Sequence, residues 1–211
     1  MLFRSEAGAC LGIPAITAHR AVFWDGPVQD QTVLVSGGAG RVAHCAIQLA
    51  RLGGARVIAT ASTPDKIEVA RAAGAEHVID RSGDVAAAVL DLTGGAGVDR
   101  VIEVEFGGNL VTNEKILKDG GAIASYASSQ VPQALLTVTP RRASNMTIRF
   151  VYCYSMAADA KAAAARDINR ALTDGAFMPR IARTFSLEAL AEAHAFAESS
   201  SGDGQVVVTV P

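Results

Sequence analysis

No stretch of this sequence comes near the ~18 consecutive apolar residues of a membrane-spanning helix, and the N-terminus MLFRSEAGAC lacks the apolar core of a secretory signal. Neither a membrane nor export is expected, which leaves the cytoplasm as the default location. Excess positive charge is missing as well. With a formal net charge of -2, the chain has no electrostatic reason to seek nucleic acid or an anionic lipid surface, so a small molecule is the expected partner. Cysteine is scarce: Cys10, Cys45 and Cys153 are odd in number and widely separated, which speaks against a disulfide framework or a zinc knuckle and leaves them as small hydrophobes. The 4 histidines are equally dispersed, with no HxxxH-type spacing, and no metal site is expected. Paired carboxylates and a Ser/His/Asp combination are not visible either.

Half of the 211 residues are apolar, enough for one sizeable core, or for one domain with an appendage. From Thr32 onward, short apolar runs alternate with alanine-rich stretches of helical spacing. The runs TVLV (32–35), RVIAT (56–60), HVID (77–80), RVIEV (100–104), AIASY (122–126) and TIRFVYCY (147–154) read as strands. Segments 41–52, 64–73, 83–92, 109–117 and 158–174 read as helices, with Gly53-Gly54, Gly74, Gly94-Gly95 and Gly120-Gly121 as expected left-handed caps near their ends. Such alternation predicts βαβ units, a parallel sheet and therefore a doubly wound α/β domain of the Rossmann kind. The apolar run TIRFVYCY is expected at a sheet edge, where it favours a homodimer unless residues 180–211 or the strand order covers it.

The stretch TVLVSGGAGRVAHCAIQLA (32–50) joins the first strand to the first helix of that pattern. Gly38, Gly40 and Ala43 stand in G-x-G-x-x-A register, the dinucleotide fingerprint in its Gly/Ala form: a tight turn, a close approach of backbone to pyrophosphate, and close packing of helix on strand. The helix start beyond Gly40 offers unpaired amides and partial positive charge to a pyrophosphate. Arg41 either adds a guanidinium beside those phosphates or points into solvent. The second strand runs into Ala61, Ser62, Thr63, Pro64, Asp65 and Lys66, so the carboxylate that bonds an NAD ribose is missing from its end. Hydroxyls and the Lys66 ammonium there favour NADP(H), while Asp65 also suits a helix first turn. His44 falls in the first turn of the phosphate-binding helix and is read as structural or exposed. For His19 the leading reading is a partner to a backbone carbonyl.

The ends depart from the alternating pattern. Residues 9–23, ACLGIPAITAHRAVF, look like a buried turn and helix with no strand before them, and after Pro179 come RIARTFSL, a helix-like EALAEAHAFAESS and the β-branched run QVVVTV (205–210). The expected organisation is a linker and lead-in helix (1–24), a dinucleotide-binding domain (25–178) and a C-terminal segment (179–211).

The ordered set CLGIPAITAHRAVF, the glycine turn with its following strand and helix, VIEVEFGGNL, GGAIASYAS and the tail FSLEALAEAHAFAESSSGDGQVVVTV resembles the zinc-independent quinone oxidoreductase branch of the medium-chain dehydrogenase/reductase superfamily, over roughly residues 6–211. The resemblance implies a cofactor site built from Thr17 in the T-A-x-R segment, Gly38, Gly40, Arg41 and Val42 of the turn, and Ser62 and Lys66 near the 2'-phosphate. It extends that site to Tyr126, Ala127 and Ser128 after the fifth strand, and to Val151, Tyr152 and Cys153 of the sixth. Read from the residues alone, Tyr126, Tyr152 and Cys153 are core packing. Members commonly carry G-G-V-G where this chain has Gly40-Arg41-Val42-Ala43. The resemblance also implies a GroES-like β-domain ahead of the nucleotide domain; this chain shows no counterpart, residues 180–211 look like a remnant returning to it, and a fragment or truncated reading frame is expected. The implied activity is hydride transfer from NADPH to a quinone or an α,β-unsaturated carbonyl. A different class, an NADP(H)-binding domain with little catalysis, stands beside it, and a zinc alcohol dehydrogenase is disfavoured by the scattered Cys and His.

Overall fold

A computed structural model describes residues 5–199 and 204–210. Residues 1–4 of the opening MLFRS and residues 200–203 of the quoted tail lie outside them. Two helices, Ser5–Ala9 (α1) and Gly12–Phe23 (α2), precede the first strand, Thr32–Val35 (β1). Then follow Arg41–Leu52 (α3), Arg56–Ala61 (β2), Pro64–Ala72 (α4), His77–Asp80 (β3), Val85–Leu92 (α5), Val98–Glu103 (β4), Phe106–Ile116 (α6) and Leu117–Ser125 (β5). Val138–Ala143 (α7), Thr147–Phe150 (β6), Ala158–Thr173 (α8), Ile181–Ser186 (β7), Leu190–Glu198 (α9) and Gln205–Thr209 (β8) complete the order.

The strands β3-β2-β1-β4-β5-β6 form one sheet, every neighbouring pair parallel. Side chains alternate across a strand, so each apolar run serves both faces of the sheet. Val33, Val35, Val57, Ala59 and Ala124 pack on one face with Val22, Ile47, Ile168 and Phe177 from α2, α3, α8 and the segment after α8. Leu34, Ile58, Val101 and Ile123 pack on the other with Val89 and Leu110 of α5 and α6. This is the expected doubly wound α/β fold, and the chain reverses direction across the sheet between β1 and β4. Local chemistry fixes two helix starts: the Thr63 hydroxyl accepts from the Lys66 amide with Pro64 in the first turn, and Asp84 accepts from the Ala87 amide.

Several element boundaries differ from the sequence expectation. TIRFVYCY is a strand only to Phe150, because β5, its one neighbour, ends at Ser125; the Val151 amide still donates to the Ser125 carbonyl, and Cys153–Ser155 is a 3-10 turn. The helix expected at 109–117 begins at Phe106, and β5 begins at Leu117, so Gly120, at a φ of 76°, bends a strand rather than capping a helix. Within RIARTFSL, Ile181–Ser186 forms the strand β7, paired in parallel with β8 in a separate two-stranded sheet. The tail is anchored to the main domain. The Gln48 side chain both donates to the Met178 carbonyl at 3.0 Å and accepts from the Met178 amide at 2.9 Å, beside a fully buried Phe177. Edge strand β6 carries exposed Phe150. Among the described residues no helix is long and apolar enough to cross a membrane.

Candidate functional site

The turn after β1 hangs between its two neighbouring strands. The Ser36 amide donates to the Ile102 carbonyl of β4 at 2.9 Å, and the Gly37 and Gly38 amides donate to the Thr60 hydroxyl and carbonyl of β2 at 3.0 and 2.8 Å. Gly38 is buried where a Cβ would lie 2.9 Å from Ala70 Cβ, 3.0 Å from Ala59 Cβ and 3.1 Å from Ile47 Cδ1, so only glycine fits. Gly40 is the exposed N-cap of α3, its amide closing a turn on the Gly37 carbonyl. No side chain caps the helix, which leaves its first amides available to an anion. Ala43 is fully buried at the helix–strand contact, the position where the fingerprint asks for a small residue.

A cleft of about 660 Å³ opens at the carboxyl ends of β1, β2, β3 and β4, where ligands of open α/β sheets bind. Ser36 and Gly37 form its β1 side, Thr60 and Ser62 its β2 side, Arg81 and Ser82 its β3 side, and Glu105 and Asn109 its β4–α6 side. Beneath it lies Glu103, wholly buried at the end of β4. Its Oε1 accepts from the Glu105 amide at 2.7 Å and Asn109 Nδ2 at 2.9 Å, and its Oε2 from Ser36 Oγ at 3.0 Å and Asn113 Nδ2 at 2.7 Å. A carboxylate inside a strand is tolerable only when donors replace its water, and four do so here. They bind the glycine turn, β4 and α6 to one another.

The histidines have other duties. Gln48 Nε2 donates to His44 Nδ1 at 3.0 Å, burial and the nearby Arg180 pull the His44 pKa down to about 4, and the imidazole is neutral at physiological pH. It is a structural residue of α3, as expected. His19 Nε2 meets not a backbone carbonyl but the Asp167 carboxylate at 3.0 Å, joining α2 to α8 beside a separate groove. Cys45 is buried and its thiol is pushed up to about 12, chiefly by that burial.

Residues 42–169 match the zinc-binding dehydrogenase family. The chain belongs to that family. Human quinone oxidoreductase is 29% identical over 193 residues, covering 90% of this chain and 57% of the human protein. A solved mycobacterial quinone oxidoreductase superposes with a TM-score of 0.89 at 26% identity over 97% of this chain and 64% of its own. An NAD-dependent alcohol dehydrogenase gives 0.87 at 30% identity over 99% of this chain and 60% of its own, and a mycobacterial protein solved with NADPH gives 0.85 at 26%, over 98% and 65%. The chain thus spans less than two thirds of the length of these relatives. Membership of the medium-chain dehydrogenase/reductase superfamily follows.

Among the described residues no group of three or more His, Cys, Asp or Glu is arranged to hold a metal. The residues singled out from the sequence are not brought together in one pocket. Ser62 lines the cleft, while Gly38, Gly40, Arg41 and Val42 form the turn and helix start beside it, Arg41 exposed and Val42 half-buried. Lys66 is half-buried in the first turn of α4. Thr17 is buried on α2, Val151 is core, and Tyr126 is partly buried against that core, its phenol pKa raised by burial first and by Glu103 and Cys45 second. The Ala127 carbonyl accepts from the Phe106 amide, and Ser128 Oγ accepts from the Gly107 amide. Cys153 is buried, but Tyr152 is 65% exposed with its ring 5.2 Å from that of Tyr154, so core packing does not describe it. Glu103, Glu105, Arg81, Asn109 and Asn113 were not anticipated. One signal was present in the sequence: a glutamate inside the apolar run RVIEV announces a buried, hydrogen-bonded acid.

Proposed function

We propose that this chain binds NADP(H) and serves a zinc-independent oxidoreductase that passes hydride to a quinone or an α,β-unsaturated carbonyl. The observation that carries the cofactor choice is the far end of the cleft, where β2 and β3 present Ser62 and Arg81 and β2 carries no carboxylate into the lining. Asp84, on the same lining, already accepts from the Ala87 amide as the cap of α5. The fit at the other end rests on Gly38, which admits no side chain, and on the open start of α3.

Bound there, NADPH would supply the hydride. The chain's own work is to hold it. The first amides of α3, with Arg41 beside them, would face the pyrophosphate, and Ser62, Lys66 and Arg81 would take the 2'-phosphate. Thr17, Tyr126, Ala127, Ser128, Val151, Tyr152 and Cys153 would border the nicotinamide end. No side chain of the cleft is assigned a proton, and His44, neutral and tied to Gln48, is not available as a donor.

Thermal unfolding with NADPH and with NADH tests this. At a hundredfold excess over its Kd, NADPH should stabilise the fold by about 2.7 kcal/mol and raise the melting temperature by roughly 5–10 °C, with NADH well behind. An equal response would remove the 2'-phosphate assignment, and no response from the folded chain would remove the nucleotide reading.

A second reading is an NADP(H)-binding domain with little turnover, in which residues 179–211 belong beside a GroES-like domain. It is favoured by one feature: among the described residues, every wall of the cleft comes from the α/β domain. Saturable reduction of a simple quinone by NADPH would decide for the enzyme. For assembly we propose a homodimer through β6, supported by that open edge and by Phe150, Tyr152 and Tyr154 at 68, 65 and 61% exposure. Light scattering should then give twice the chain mass, and a monomer at tens of micromolar would refute the pairing.

A further inference from the structure

Glu105, between β4 and α6, makes a contact that the reading above does not use. Its carboxylate accepts from three successive backbone amides of the loop after β5: Ser129 at 3.0 Å, Gln130 at 3.1 Å and Val131 at 2.9 Å. The Ser128 hydroxyl donates in turn to the Val131 carbonyl at 2.6 Å, closing the loop on itself. The same loop lies directly on the start of α6. The Gly107 amide donates to Ser128 Oγ at 2.8 Å, Glu105 and Ser128 form an antiparallel bridge, and a Cβ on Gly107 would fall 2.0 Å from the Val131 carbonyl oxygen. Gln130 and Val131, thus held, form part of the lining of the 660 Å³ cleft.

Consecutive amides that converge on one point make an anion seat, and here the chain fills it with its own carboxylate. The loop from Ser129 to Leu135 has no regular secondary structure and is exposed throughout, so little apolar burial fixes it. We propose that Glu105 is a positioning residue: its carboxylate, seated in the amides of residues 129–131, fastens this loop as a wall of the cleft, so that nucleotide binds to a preformed site. The seat is specific for a small carboxylate. Its effect on the cofactor rests on the NADP(H) reading, whereas its effect on the loop does not.

The test is chemical rescue of Glu105→Ala. In the protein without nucleotide, hydrogen exchange at the amides of Ser129, Gln130 and Val131 should accelerate roughly a hundredfold, as expected when hydrogen bonds to a charged acceptor are lost. Formate or acetate at tens of millimolar should restore protection by entering the vacated seat, and neutral acetamide should not. The melting temperature should change little, since the loop is peripheral. NADPH affinity should fall about tenfold, because the binding-competent arrangement is populated that much less, and acetate should recover it. Glu105→Gln, which keeps the length but offers one acceptor oxygen, should fall between the two. Unchanged exchange in Glu105→Ala, or rescue by acetamide as good as by acetate, would overturn the seat. Fast exchange with unaltered NADPH affinity would overturn the wall. If the parent protein binds no NADPH, the cofactor reading fails, while exchange and its rescue by formate still decide the seat.

Discussion

Replacing Glu103 with alanine is expected to cost about 3–5 kcal/mol of stability, the range for breaking a buried charged network by removing one partner. Its four donors, Ser36 Oγ, the Glu105 amide, Asn109 Nδ2 and Asn113 Nδ2, would face a cavity instead of an acceptor. For a chain of this length that loss lowers the melting temperature by roughly 10 °C or more. Glu103→Gln should be milder, about 1–3 kcal/mol, and for a reason specific to the site. The Ser36 hydroxyl and the Asn113 amide can each turn to present an acceptor to the new NH2 group, whereas the Glu105 backbone amide cannot. Glutamine should therefore settle with its oxygen on the Glu105 side. Urea unfolding of both variants checks this, and equal costs for Ala and Gln would mean that neither Ser36 nor Asn113 turns to accept from the new NH2 group. Because Glu103 ties Ser36 of the glycine turn to α6, nucleotide affinity should fall in the alanine variant even below its melting transition.

The other large effect is expected at Gly38. Two of the three atoms that its Cβ would strike are alanine Cβ atoms, Ala70 at 2.9 Å and Ala59 at 3.0 Å, and an alanine has no rotamer to swing aside. Only Ile47 Cδ1, at 3.1 Å, can give way. Gly38→Ala should cost about 1–3 kcal/mol through overpacking, and Gly38→Val more, since its extra methyls meet the same wall. The relief available is a shift of the turn itself, which moves Gly40 and the first amides of α3. A stability loss near zero for Gly38→Ala in thermal unfolding would show that α4 retreats freely and that the close approach is not a constraint. Val should also weaken nucleotide binding further than its stability loss accounts for, because the displaced amides are those proposed to face the pyrophosphate.

Much of the frame was legible in the order of residues because local rules governed it. The segment 41–52 became a helix with its predicted limits, as apolar spacing and a glycine boundary at each end agreed. Strands 32–35 and 77–80 fell where β-branched runs stood between turns. Boundaries failed where the competing choice depended on a distant partner. TIRFVYCY has strand propensity to its end, yet pairing stops at Phe150 because β5 offers no further residue. Ile181–Ser186, to which periodicity assigned no element, is a strand because Gln205–Thr209 pairs with it.

The site divides along the same line. The tight turn at Gly38 and Gly40 and the close helix contact at Ala43 were readable because a turn pressed between strands and a packed helix imposes small residues at a short, fixed spacing. Arg81, Asn109 and Gln130 were not, since each reaches the cleft from the end of a different strand or crossover, and only the order β3-β2-β1-β4-β5-β6 makes them neighbours. Glu105 could not have been paired with residues 129–131 either, for their meeting depends on β4 and β5 lying side by side. Composition and periodicity by themselves determined that the chain would bury a parallel sheet between helices and carry a glycine turn at its first crossover, because burial and backbone sterics act between near neighbours. Which charges stand over the cleft, and that Glu103 and Glu105 hold its floor and wall, was decided by the tertiary structure alone. Hydrogen bonds to a carboxylate act within about 3 Å, and only the fold brings their donors that near.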